Sequence, residues 1–150
     1  MIELAHAFDI NITLDPPQEF GDIPTGNRRI INITGGHVKG PKLTGKVLRG
    51  GADWQLVWRD GTAFLDARYT IEAEDDALIY IENKGFRHGP TEVLKRIATG
   101  EPVDPSEYYM RTAATLETAA PQYEWMNHTI FVATGARLKS SVELSFYEVL

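Results

Sequence analysis

The sequence predicts an all-β domain, an antiparallel barrel or sandwich, on three observations. Nine segments of strand-like composition follow one another at short spacing. Short turn signals rich in glycine, proline and aspartate separate them, and Asp60-Gly61 is the tightest of these. Only one segment has clear helical spacing. With 150 residues, 43% of them hydrophobic, the chain is expected to form a single domain over residues 1–150.

The first segment alternates apolar and polar side chains, which is typical of a half-buried strand. The residues of one parity are Leu4, His6, Phe8, Ile10 and Ile12. The next segment, DPPQEFGDIPTGN at residues 15–27, contains three prolines and two glycines. This composition predicts an irregular loop.

Eight further strands are predicted after this loop. The turn signals between them include GGHVKGP at residues 35–41, interpreted as a glycine-rich bend, and NKG at residues 83–85. The predicted strands are 28–34, 43–48, 53–59, 62–73, 77–83, 109–118, 128–137 and 141–149.

The helical segment is GPTEVLKRIATGEP. Pro90 suits the first helical position, Glu92 the first turn, and Gly100 lies just past the end. Its apolar residues fall on one side, so the helix is expected to lie over a mouth or an edge of the barrel. A second, single helical turn is predicted at residues 104–109.

Composition excludes several classes of function. The absence of cysteine removes thiol nucleophiles, zinc thiolate sites and disulfides. A net charge of −6 argues against a nucleic-acid partner. No apolar run is long enough for a membrane span and no secretory signal is evident, so a cytoplasmic protein without a membrane partner is expected. No metal or cofactor is expected either, because phosphate-loop spacing is absent and the histidines are scattered. They are His6, His37, His88 and His128.

Two predicted strands carry charged residues among aromatic ones. Parity places Asp66 and Arg68 on the same face of one strand, and Tyr109, Arg111 and Glu117 on the same face of another. If these faces point inward they form a polar lumen of ligand size. If they point outward, the opposite, apolar faces fill the core. Parity alone leaves both arrangements open.

Charged groups interact more strongly when water is excluded, which favours a pocket over a solvent-exposed face. Arginine binds a carboxylate through two parallel hydrogen bonds, which gain strength when water is excluded. A carboxyl group beside aromatic walls has a raised pKa and can exchange protons near neutral pH. Trp54 and Trp58 share a face with Leu56, which favours core packing over a ligand platform. Trp125 lies at a predicted transition from loop to strand.

Several motifs resemble the domain-of-unknown-function family numbered 3237. They include Gly-Ala-Asp-Trp at 51–54, Leu-Asp-Ala-Arg-Tyr at 65–69 and the ending VELSFYEV, and the resemblance covers nearly the whole chain. It implies a calycin-like or lipocalin-like antiparallel β-barrel of about eight to ten strands with one short helix. It implies little chemistry, and Met110 departs from the family's usual phenylalanine. The matching positions are Asp53, Trp54, Asp66, Arg68, Tyr109, Arg111, Glu117, Trp125 and Asn127.

This overlap favours the inward-facing arrangement and a barrel that binds a small molecule. One hypothesis is a cofactor-free lyase or isomerase acting on a small organic carboxylate or enone, aromatic ones included. The others are a carrier or sensor without turnover and a structural, homo-oligomeric barrel. A homodimer is expected because the strands have apolar residues on both faces. The expected catalytic residues are Glu117, Asp66 and Tyr109, and the expected ligand-binding residues are Arg68, Arg111, Asp53, Trp54, Trp125 and Asn127.

Overall fold

A computed structural model describes all residues, 1–150, as ten strands, one α-helix and two short 3₁₀ helices. The helix α1 is Thr91–Ala98, and the 3₁₀ helices are Pro105–Glu107 and Pro121–His128. The strands are β1 Leu4–Leu14, β2 Gln18–Ile23, β3 Gly26–Lys39, β4 Gly45–Val47, β5 Ala52–Val57, β6 Ala63–Ala73, β7 Leu78–His88, β8 Tyr109–Glu117, β9 Ile130–Arg137 and β10 Ser141–Val149.

The strands close into an antiparallel barrel with eight positions. Seven are held by β1, β3 and β6 to β10, and β4 and β5 share the eighth, between β3 and β6. The barrel closes because β1 pairs with β10 on one side and with β3 on the other. Strand β2 pairs with the first half of β3. The predicted all-β antiparallel barrel with one short α-helix is therefore confirmed.

The predicted loop at 15–27 is wrong, because it contains β2. Two of its prolines precede the strand and Pro24 lies in the turn that follows, so none removes a hydrogen bond from a central strand. Gly21, with φ +85°, lies where the register between β2 and β3 shifts. A bulge of this kind accommodates a glycine that a sequence pattern assigns to a loop.

Two predicted glycine turns are wrong as well. Residues 35–39 continue β3, and residues 83–85 lie inside β7. A Cβ on Gly36 would lie 2.0 Å from the carbonyl oxygen of Asn11, and one on Gly85 would lie 2.1 Å from that of Arg111. Both glycines therefore allow neighbouring strands to approach closely, and neither reverses the chain.

Helix α1 is confirmed, and it covers one end of the barrel. Pro90 precedes its first residue, and Val93 and Ile97 are buried in a small apolar cluster with Leu65 of β6. The larger core cluster fills the rest of the barrel and includes the packed rings of Phe8, Phe131 and Phe146. None of the helices has the length and apolarity that crossing a membrane would require.

Candidate functional site

The charged faces of β6 and β8 point outward, which corrects the expectation that Asp66 and Arg68 line the lumen. On β6, Leu65 and Tyr69 are buried, whereas 47% of the Arg68 side chain is exposed. The same alternation on β8 buries Met110 and leaves Tyr109 and Glu117 exposed. The apolar faces thus fill the barrel.

The outward residues form two small groups on the barrel surface. Asp66 and Arg68 lie 3.8 Å apart, and the Arg68 guanidinium lies 6.0 Å from the Trp54 ring centre. Arg111 lies over the ring of Tyr109 at 5.5 Å. The strand register places Arg68 and Arg111 two strands and four residues apart, about 16 Å, so they do not face a common ligand.

The remaining predicted residues lie elsewhere. Trp54 and Trp58 are 38% and 42% exposed, so the expectation that they belong to the core is wrong. Trp125 packs against Phe131 and under the Lys42 ammonium at the end of the barrel away from α1. Residues 121–128 form a 3₁₀ helix and not a transition into a strand.

Asn127 has a local bonding role. Its amide accepts from the Thr118 backbone N–H at 2.8 Å and donates to the Thr118 carbonyl at 3.0 Å. These bonds tie the second 3₁₀ helix to the end of β8. The binding and catalytic roles that the sequence suggested for the outward residues stay predictions, and of all the predicted residues only Asp53 lies in the lumen.

The lumen contains a cavity of about 50 Å³ between the two apolar clusters. This is about a third of the volume of a cavity that accepts benzene. It suits a carboxylate, a hydroxyl group or the end of an alkene. Its polar lining residues are Asp53, Gln55, Tyr69, Asn83, Thr112, Arg87 and Arg137.

Two arginines from different strands line this cavity, and a third lies beside them. Arg87 of β7 is 8% exposed and forms no hydrogen bond or ion pair. Arg137 of β9 donates to the Ser141 carbonyl at 3.2 Å. Arg29 of β3 lies 3.2 Å from Glu19 and donates to the Gln55 side chain at 3.3 Å.

The guanidinium groups of these three arginines repel one another, and the barrel screens them from water. Burial, together with the charges of Arg137 and Arg29, lowers the pKa of Arg87 to about 10. Burial and the charge of Arg29 also lower the pKa of Arg137. Asp53 is the only carboxylate whose charge raises the pKa values of both Arg87 and Arg137, against the effect of burial. The cavity therefore has an excess of positive charge.

Asp53 is held in a fixed orientation. One carboxylate oxygen accepts from the Asp66 backbone N–H at 2.9 Å, and the other accepts from the Gln55 amide at 3.1 Å. Burial raises the pKa of Asp53, against the opposing effects of these hydrogen bonds and of Arg87. A carboxyl group in this state holds a proton at a higher pH than an ordinary aspartate does.

Three neutral polar groups complete the lining. The Tyr69 hydroxyl, the Asn83 amide oxygen and the Thr112 hydroxyl are buried and have no partner within the protein. Burial raises the pKa of Tyr69, so its hydroxyl stays a proton donor to a hydrogen bond. Most buried polar groups in folded proteins are paired, and those that are not are candidates for ligand contact.

The arrangement fits an organic anion better than a metal ion. No three His, Asp or Glu side chains converge anywhere in the structure. The lining instead combines guanidinium donors, hydroxyl donors and one carboxyl group of raised pKa. Such a set can bind an oxyanion and move one proton.

The sequence prediction missed the arginines for an identifiable reason. Arg87 lies beyond the predicted strand 77–83, after the NKG segment interpreted as a turn, and Arg137 is the last residue of both the predicted strand 128–137 and β9. A signal was present in β7, where Ile79, Ile81 and Asn83 continue through Gly85 to Arg87 with unbroken alternation. An arginine on the apolar parity of a strand indicates a charge that points inward.

Nearly the whole chain is similar to known proteins. The sequence profile of the family described as "Protein of unknown function (DUF3237)" matches residues 2–149. A UPF0311 protein of Clostridium acetobutylicum is 47% identical over 143 residues, which are 95% of this chain and 90% of that protein. A crystal structure of a conserved protein of unknown function from Rhodopseudomonas palustris has a TM-score of 0.97 at 40% identity and covers 100% of this chain and 99% of the other.

A more distant relative has a named activity. The hydroalkoxylation enzyme of Penicillium herquei is 24% identical over 146 residues, covering 97% of this chain and 83% of that protein. A crystal structure of an enzyme from the same organism has a TM-score of 0.75 at 21% identity and covers 99% and 95% of the two chains. At this identity, the structural likeness supports the shared fold alone.

Proposed function

Because the chain belongs to the DUF3237 family, whose description assigns no function, we propose one from the interior site: the barrel binds a small unsaturated organic acid or phenol and catalyses proton transfer on it without a cofactor. The observation that carries this proposal is the Asp53 carboxyl group of raised pKa in the same cavity as Arg87 and Arg137. The named activity of the distant Penicillium relative supports the same class of chemistry.

Hydroalkoxylation adds an O–H bond across a carbon–carbon double bond. Protonated Asp53 would donate its proton to one alkene carbon while the substrate oxygen bonds to the other carbon. The proton leaving that oxygen would return to the Asp53 carboxylate, so the enzyme is unchanged. Arg87 and Arg137 would stabilise the negative charge on the substrate oxygen, and Tyr69 would donate a hydrogen bond to it.

An isomerase would use the same groups. The Asp53 carboxylate would remove a proton from a carbon beside the double bond, and the same carboxyl group would return it two carbons further on. The arginines would stabilise the intermediate dienolate of a carboxylic acid substrate. Both reactions require one proton-shuttling carboxyl group near positive charge, which is the composition of the cavity.

Two probe compounds test the proposal. ortho-Allylphenol would cyclise to its ether, and vinylacetate would isomerise to crotonate, each in D₂O with deuterium incorporation followed by NMR. We expect Asp53→Asn to lower any turnover by about 10²–10⁴-fold. Arg87→Gln should abolish the thermal stabilisation by ligand, which is about 2.7 kcal/mol at a hundred times the dissociation constant.

The outward residues supply matched controls. Glu117→Gln and Arg68→Ala should leave binding and turnover unchanged. If these variants lose activity while Asp53→Asn keeps it, the outward residues carry the function that the sequence suggested. Saturable binding that depends on Arg87, with no turnover of any probe, would identify a carrier and contradict the catalytic proposal.

A further inference from the structure

A second concave region lies outside the barrel, next to the cavity. It is a depression of about 370 Å³ between α1 and the turn that follows β5. Arg87 lines both this depression and the inner cavity, so it lies at the boundary between the two, and Arg29 lines the depression alone. A group bound in the cavity would therefore adjoin the depression.

The depression has about seven times the volume of the inner cavity. The inner cavity holds only a small group, because a ligand of the size of benzene needs a cavity about three times as large as this one. A larger ligand bound at Arg87 must therefore place its remaining atoms outside the cavity. The depression is the adjoining space, and it shares Arg87 with the cavity.

The depression has a positively charged outer rim. Arg59 and Lys95 lie on this rim, beside Arg29 and Arg87. Neither Arg59 nor Lys95 forms an ion pair. The one acidic lining residue is Asp60, whose carboxylate accepts from the Thr62 backbone N–H at 2.9 Å. A chain of net charge −6 thus lines this depression with four cations and one carboxylate, and Glu19, outside the lining, pairs with Arg29.

The wall between the cavity and the rim is apolar. Val57 of β5, Ala63 of β6 and Leu94 of α1 line it. Helix α1 lies close to the turn because Gly61 has no side chain: a Cβ there would be 3.1 Å from a Leu94 methyl group. The order of surfaces from inside to outside is therefore cationic, apolar and cationic.

We propose that the depression beside α1 is a second anion subsite, and that the ligand is an elongated organic acid with an acidic group at each end. One acidic group lies at Arg87 and Arg137 in the cavity, and the apolar middle runs along Leu94. The second acidic group lies at Arg59 and Lys95. This inference rests on the proposed anion binding in the cavity and specifies the class of ligand.

Straight-chain dicarboxylates from glutarate to sebacate are the probes, each compared with the monocarboxylate of the same length. Binding is measured by calorimetry and by thermal shift. We expect the best dicarboxylate to bind about fivefold more tightly than its monocarboxylate, which is the upper range for an exposed charge pair. The double variant Arg59→Ala/Lys95→Ala should remove this preference and leave monocarboxylate affinity unchanged.

Arg49→Ala is the matched control, because Arg49 is exposed and does not line the depression. It should keep the full preference for dicarboxylates. If monocarboxylates bind through Arg87 but dicarboxylates of every length bind no better, the second subsite is overturned and the proposed function stands. If neither series binds, both proposals fail.

Discussion

At the scale of single residues, the protonation of Asp53 affects both the candidate site and the stability of the fold. Its pKa is raised above 3.8, so the folded state holds a proton that the unfolded chain has released. The stability associated with this proton is fully present below pH 3.8 and is lost as the pH rises through the folded-state pKa. At neutral pH the buried carboxylate therefore destabilises the protein that contains it.

The corresponding prediction concerns Asp53→Asn. The melting temperature of the variant should rise above that of the wild type as the pH increases beyond about 4. The difference should reach roughly 3–6 °C for each pH unit by which folding raises the pKa of Asp53. Asp75→Asn should show the opposite trend, because the hydrogen bond from Gln122 lowers the pKa of Asp75. Thermal denaturation at half-unit steps of pH measures both, and a gain that does not depend on pH would contradict the prediction.

The site residues were only partly predictable from the sequence. Asp53 was identified because it lies in a specific motif, and the structure places it in the lumen. Asp66 and Arg68 were expected inside because they match positions of the resembled family, since parity groups residues by face without stating which face is inner. Arg29, Arg87 and Arg137 come from three strands that are distant along the chain, so only the closed barrel brings them together.

At the scale of secondary-structure elements, glycine explains why some predicted strand boundaries were wrong. A glycine in a hydrophilic segment usually indicates a turn. In β7, however, Gly85 allows the strand to lie close to β8 and carries Arg87 into the lumen. Local sequence contains no information about that neighbouring backbone, so only the alternation that continues to Arg87 indicated the longer strand. Helix α1, whose signals are local, was predicted within a residue or two.

Gly85→Ala should therefore be costly. Its Cβ would meet the Arg111 carbonyl oxygen at 2.1 Å and the Thr112 Cα at 2.6 Å, and relief requires β7 and β8 to separate. We expect a loss of about 2–3 kcal/mol in the free energy of unfolding, measured by urea denaturation. Gly50→Ala is the control: its φ of +116° is strained for alanine, but no atom lies within 4 Å. Its cost should be about 1 kcal/mol, and equal costs would contradict the steric explanation.

At the scale of the whole molecule, the expected homodimer stays a prediction, and an exposed aromatic cluster is a candidate surface for it. Trp58 and Phe86 are 42% and 40% exposed, and their ring centres lie 5.6 Å apart. Phe64 adds a third ring 5.7 Å from Phe86. Clusters of large exposed apolar side chains often mark contacts between proteins.

We expect light scattering to give twice the mass of the chain for the wild type and the mass of one chain for Phe86→Glu. Leu78→Glu is the control, because Leu78 is also exposed but lies at the other end of β7. A monomeric wild type would contradict the homodimer. Dissociation by Leu78→Glu alone would move the interface away from the aromatic surface.

Closure of the barrel through β1 has a kinetic consequence. Leu4 pairs with Val149, so the β1–β10 ladder joins the two most distant strands of the chain. Forming such a contact costs loop entropy before any pairing is gained, and proteins dominated by long-range contacts refold in milliseconds to seconds rather than microseconds. Until that ladder forms, β1 and β10 each expose an unpaired edge. The vulnerable species during refolding is thus an open sheet, which can pair with a second copy before it can pair with itself.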